Sequence, residues 1–176
     1  MSVDVMSDDR MQTTGATRSA AVTAPDRVAL RAGLEETRAA FHRLLEASTG
    51  ERWRAKSPTT DWTRGEVLVH LTWSLEELPR EIESARRGKG MYNLPKWLAE
   101  PGSYWLNRWL ARKSDPVSVR RRYDAAMDAA LAALESVPDS DWDKGAAFYG
   151  HGFHSVRDLF DAPAEHLAEH AQGWNS

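Results

Sequence analysis

The chain of 176 residues contains no cysteine. That excludes disulfides, thiolate metal sites and a cysteine nucleophile, and it fits a reducing cytoplasm. No apolar run approaches the roughly 20 residues that a membrane-crossing helix needs. Positive charge is not in excess: 23 Lys and Arg stand against 26 Asp and Glu, giving a net charge of −3 and a pI near 6.1. A nucleic-acid binder driven by phosphate attraction is therefore not expected. The 11 glycines form no phosphate-cradling pattern, and there is no Gly-x-Ser-x-Gly elbow. Convincing strand alternation is missing as well. What remains is 41% hydrophobic and 28% charged residues, at a length that suits one domain with a real core.

The opening MSVDVMSDDRMQTTGATRSAAVTA is polar and small. It has too little apolar surface to offset its ordering entropy, so residues 1–24 read as a disordered leader ahead of one domain over 25–176. It lacks a hydrophobic secretion core, and Asp4, Asp8 and Asp9 count against a transit peptide. Met6 and Met11 are alternative starts.

Four helical patterns follow. The first spans 25–47, with Leu30, Leu34, Phe41 and Leu45 near helical spacing and Pro25 suited to the first turn; Thr49-Gly50 ends it. The second opens at Thr63-Arg64-Gly65-Glu66, a capping box in which hydroxyl and carboxylate satisfy orphan amides reciprocally. Val67, His70, Leu71, Ser74 and Leu78 share its stripe, Pro79 is expected to kink or end its regular part, and a weaker pattern reaches Arg87. The third opens at Asp115-Pro116, buries Val119, Tyr123, Met127, Ala130 and Leu134, and closes at Val137-Pro138. The fourth begins at Ser155 with a capping-box variant ending on Asp158; Pro163 either kinks it or follows a fresh start at Asp161. Between the second and third, residues 91–114 are irregular, aromatic and basic, with short helices expected. Four such helices without strands predict an all-α chain, an antiparallel four-helix bundle with a short helical excursion between helices 2 and 3.

The last pattern carries AEHLAEH, with His166 and His170 four residues apart. Four residues advance a helix by about 400°, leaving the imidazoles roughly 40° apart and about 6 Å up the axis, so both can converge on one cation. Six histidines can produce such a pair by chance, so a third partner is required. His70 is the candidate. It lies on an apolar stripe, where a neutral imidazole must find a hydrogen-bond partner or a cation. Alone it would read as a satisfied core histidine; opposite His166 and His170, in a bundle core where facing helices build metal sites, it gains a second reading.

The stretch Ser57-Pro58-Thr59-Thr60-Asp61-Trp62-Thr63-Arg64-Gly65-Glu66-Val67-Leu68-Val69-His70-Leu71 resembles the Trp-Thr/Ser…His-Leu signature of the DinB-like superfamily. So does the end of the chain, Gly152 to Phe160 followed by His166-Leu167-Ala168-Glu169-His170-Ala171-Gln172. This superfamily includes the YfiT-like hydrolases and the N-terminal domain of mycothiol-dependent maleylpyruvate isomerase. The resemblance implies a four-helix bundle and a divalent metal held by His70, His166 and His170. The isomerase branch often has glutamate where His166 stands, so this chain is nearer the general three-histidine pattern; it also lacks that isomerase's extra C-terminal domain.

Three neutral imidazoles leave coordination positions open, as in catalytic sites. Zinc is the default, with nickel, iron or manganese also accepting imidazole. Such an ion can lower a bound water's pKa to about 7, or deprotonate a bound thiol. With no cysteine in the chain, the thiol must be external, and the resemblance points to mycothiol, bacillithiol or glutathione. The expected activity is thus metal-dependent transfer of a small thiol to an electrophile. Hydrolysis by metal-bound hydroxide, or a non-catalytic metal-binding stress protein that forms a homodimer, are the alternatives.

Secondary candidates surround the three histidines. Glu66 is assigned to its capping box, while Glu165 or Glu169 could orient an imidazole from outside, though solvated glutamates are the commoner case. His166-Leu167-Ala168-Glu169-His170 also spells His-x-x-Glu-His, in which Glu169 would be a general base; those peptidases need a further downstream ligand, and only six residues follow His170. His151 and His154 are possible auxiliary ligands, and His42 reads as structural. Arg108 and Arg112 could read a substrate carboxylate, against simple packing of the tryptophans around them.

Overall fold

Asp26 caps the first helix, α1 (Arg27–Glu46), by accepting the Val28 and Ala29 amides at 2.9 and 3.2 Å. The computed structural model describes residues 26–93, 107–149 and 152–174. The expected leader over 1–24, Pro25 and most of the aromatic segment, including Trp97, Tyr104 and Trp105, lie outside them. Helix α2 (Arg64–Arg86) starts with the capping box read from the sequence. Glu66 Oε2 accepts from the Thr63 amide at 2.7 Å, and Thr63 Oγ1 accepts from the Glu66 amide at 3.2 Å. Helix α3 (Pro116–Ser136) follows its Asp115 cap, and α4 (Val156–Ala171) follows the Ser155 and Asp158 box.

Of the two outcomes expected at each proline, a kink or a break, the break does not occur. Helix α2 runs through Pro79 to Arg86, and α4 is one helix through Pro163, with no fresh start at Asp161. Each proline removes one amide donor. The buried Leu75, Leu78 and Ile82 around the first, and Leu159, Phe160 and Leu167 around the second, hold the flanking turns in place.

The described chain is mostly helical. Helices α1 and α2 each pack against both α3 and α4 around one apolar core. Phe41 stacks on Tyr123, with ring centroids 3.5 Å apart, where α1 meets α3. His42 Nε2 donates to Asp124 Oδ1 at 2.7 Å in the same interface, consistent with the structural role expected of it. Residues 107–111 are helical, which agrees with short helices in the excursion.

Two strands were not foreseen. β1 (Gly145–Ala147) pairs antiparallel with β2 (Phe153–Ser155), whose end leads directly into α4. Three residues are too few for alternation to be legible. The hairpin nonetheless matters for placement, because β1 also packs on α2.

Near that contact, Tyr92 and Tyr149 are the non-glycine residues with positive φ among the described ones, at 57° and 52°. Their rings stack at 5.1 Å, and each phenol donates to a carboxylate of α2, Tyr92 to Glu77 at 2.5 Å and Tyr149 to Glu81. Left-handed backbone at tyrosine costs about 1–3 kcal/mol, which these bonds offset. Glu81 is buried, and burial pushes its carboxyl above the usual range, Tyr149 and the charge of His154 opposing and Glu77 reinforcing that push. A carboxyl raised in this way favours the folded state when protonated, and its contribution is lost as pH rises from about 4.5 through the folded value. Glu81→Gln should therefore raise the Tm at pH 8 and give no gain at pH 4. An equal or lower Tm at pH 8 would mean that the ionised carboxylate is fully compensated.

Candidate metal centre

His70 lies in the second turn of α2, on the side that meets α4, one turn after the capping residue Glu66. His166 and His170 come from successive turns of α4, so their rings meet the one from α2 across the helix pair. The pair runs in opposite directions. His70, early in α2, meets His166, late in α4, whereas Glu81, late in α2, feels the charge of His154 just before α4 begins.

The Nε2 atoms of His70 and His166 stand 3.1 Å apart. Ring centroids are separated by 4.8 Å for His70 and His166, 5.4 Å for His70 and His170, and 4.9 Å for His166 and His170. One nitrogen from each ring falls within 4.8 Å of the other two, so the group could hold a metal ion. Donors about 2.1 Å from a shared zinc lie about 3.4 Å apart in tetrahedral geometry. The His70 and His166 pair already meets that spacing, and an ion would draw the third ring inward. His170 Nδ1 supplies a separate test of fit: among the described residues it is buried without a hydrogen-bond partner, and a cation taking its lone pair would compensate that desolvation.

All three rings are half-buried and held neutral. Burial lowers His70 to about 3, assisted by the charges of His166 and His170. Burial likewise lowers His166 to about 4, with His170 reinforcing and Glu169 opposing. His170 is lowered too, again chiefly by burial against the pull of Glu169. Neutral imidazoles are what a divalent cation requires.

The other sequence candidates fall outside this cluster. Glu66 is fully engaged, with one oxygen on the Thr63 amide and the other accepting from Arg108 Nε at 3.0 Å. Asn107 Nδ2 donates to the Glu66 carbonyl at 2.9 Å, so residues 107 and 108 together dock on the first turn of α2. Arg108 is thus tied to a carboxylate one turn before His70, while Arg112 is exposed. Glu165 and Glu169 sit on the exposed side of α4, and among the described residues neither hydrogen-bonds an imidazole. His154 belongs to β2, its charge bearing on Glu81 and Asp158 and not on the three histidines; His151 lies outside the described residues.

Sequence reasoning quoted one further neighbour, Trp62, within the family-like signature but gave it no place at the site. The indole of Trp62 lies 4.9 Å from the His70 ring and 6.4 Å from that of His170, nearly parallel to the latter at 20°. Its signal was the Trp-Thr…His-Leu stretch itself, but a helix-by-helix reading treats the loop just before the capping box as a connection.

A mostly helical chain with three inward, neutral imidazoles from two helices defines the class: a helical protein with a candidate divalent-metal centre. The chain belongs to the DinB superfamily, whose family model matches residues 33–172. No curated protein and no solved structure matches it. Among the described residues, no helix is long and apolar enough to cross a membrane.

Proposed function

We propose that this is a cytoplasmic DinB-type four-helix bundle in which His70, His166 and His170 hold one divalent ion, zinc by default, for transfer of a small external thiol to an electrophile. The metal part rests on the converging nitrogens, their neutral state and the orphaned His170 Nδ1. The thiol part rests on the resemblance to a superfamily that includes a mycothiol-dependent enzyme, and on the open positions that three imidazoles leave around an ion. Glu66 is committed to Thr63 and Arg108, Glu165 and Glu169 are exposed, and among the described residues none of the three hydrogen-bonds the imidazole cluster. When bound, the ion would supply a Lewis acid strong enough to deprotonate a coordinated thiol outright. The histidines would fix the ion, and their burial would keep them from competing for the released proton. Arg108, held by Glu66 beside the first turn of α2, would read a carboxylate on the electrophile.

The test uses cobalt-substituted protein. Adding mycothiol or bacillithiol should produce a new thiolate-to-metal band in the near-ultraviolet. Cobalt protein whose spectrum does not respond to either thiol, or to glutathione, would move the reading to hydrolysis or to a non-catalytic metal-binding protein.

A further inference from the structure

The loop before α2 is stiffened by contacts of its own. Lys56 and Thr63 form an antiparallel bridge, the Ser57 amide donates to the Trp62 carbonyl at 2.8 Å, and the Trp62 amide donates to Thr60 Oγ1 at 3.2 Å. It is also tied to the distal end of α4, since Thr59 Oγ1 donates to the His170 carbonyl at 3.3 Å. This frame presses the half-buried indole against two of the three histidines, one from each helix. The face of an indole is electron-rich, and a ring that carries a cation on one nitrogen becomes positively polarised.

We infer that Trp62 is a positioning residue of the candidate metal centre, whose π face orients the His70 and His170 rings and favours their ion-bearing state over the empty one. The inference rests on the metal reading above. It adds a residue to the centre that supplies no ligand atom: the indole lowers the free energy of the loaded form through the imidazoles it touches. Packing alone would predict something different, since a hydrophobic wall supports the loaded and empty states equally.

The full chain separates the two. Zinc affinity is measured by chelator competition for wild type, Trp62→Phe and Trp62→Leu, alongside the Tm of each metal-free protein. We expect Trp62→Leu to bind about threefold to thirtyfold more weakly, the range that a cation–π contact carries, with Trp62→Phe recovering much of the loss. Equal affinities in all three, with wild type still loading zinc, would overturn the role of Trp62 and leave the metal reading standing. Absence of zinc binding in wild type would overturn both. A second readout serves if Trp62→Leu does not fold. Among the chain's eight tryptophans, Trp62 should account for a distinct share of the emission quenched on adding nickel or copper, and Trp62→Phe should remove that share. An unchanged quench amplitude would overturn the inference.

Discussion

His70→Ala is expected to lower divalent-metal affinity by at least about 100-fold, beyond the 10- to 100-fold cost of losing a residue that merely supports a ligand. Purified wild type should carry about one metal per chain by elemental analysis, and the variant should carry little. His166→Ala and His170→Ala should behave alike, because the three nitrogens form one group. His42→Ala and His154→Ala should retain the metal: His42 is bonded to Asp124, and His154 lies in β2 beyond the group. Metal that binds the folded state alone stabilises it by about 2.7 kcal/mol at a hundred times its Kd, so added zinc should raise the Tm of chelator-treated wild type and not of His70→Ala. Unchanged occupancy in all three variants would dissolve the ligand set. The remaining histidines then serve as an internal control for adventitious surface binding.

Acid should destabilise the metal-free protein through the same rings. In the fold, His70 and His166 titrate at about 3 and about 4, against 6.5 for an unburied imidazole. As pH falls through 6.5 the unfolded chain takes up protons that the folded chain refuses. Their contribution is thus present above 6.5 and is lost progressively between 6.5 and the folded values. Each unit of depression corresponds to about 1.4 kcal/mol, so the acid limb should amount to several kcal/mol over the whole range. Urea unfolding of metal-free protein from pH 7.5 to 4.5 would show it, with a shallower slope in the double variant His70→Gln, His166→Gln. Equal slopes would mean that the imidazoles titrate normally. A companion result follows from the same states: the rings are already deprotonated at pH 7, so zinc uptake should release almost no histidine protons. Calorimetry in buffers of different ionisation enthalpy measures that number directly.

How much of this was legible beforehand depends on sequence distance. Capping is a matter of three residues, so Thr63 with Glu66 and Ser155 with Asp158 could be read from spacing and are found bonded as expected. The break open at Pro79 and Pro163 does not occur, because the local rule counts one lost amide bond and ignores the buried side chains that keep the next turn in register. The hairpin was invisible because three-residue strands have no period to detect.

The candidate site divides along the same line. Spacing alone put His166 and His170 on one side of a helix, and the apolar stripe alone pointed His70 inward; both follow from the 3.6-residue turn, which needs no partner. The contact between His70 and His166 spans 96 positions, and only the packing of α2 on α4 creates it. Packing also bears on the chemistry of the rings, since burial, which no single residue type encodes, pushes their titration well below the ordinary imidazole range. The pairing of Arg108 with Glu66 and the placing of Trp62 against two histidines are of the same kind. Periodicity settles which way a side chain leaves its helix. What it meets there depends on how distant segments share one core.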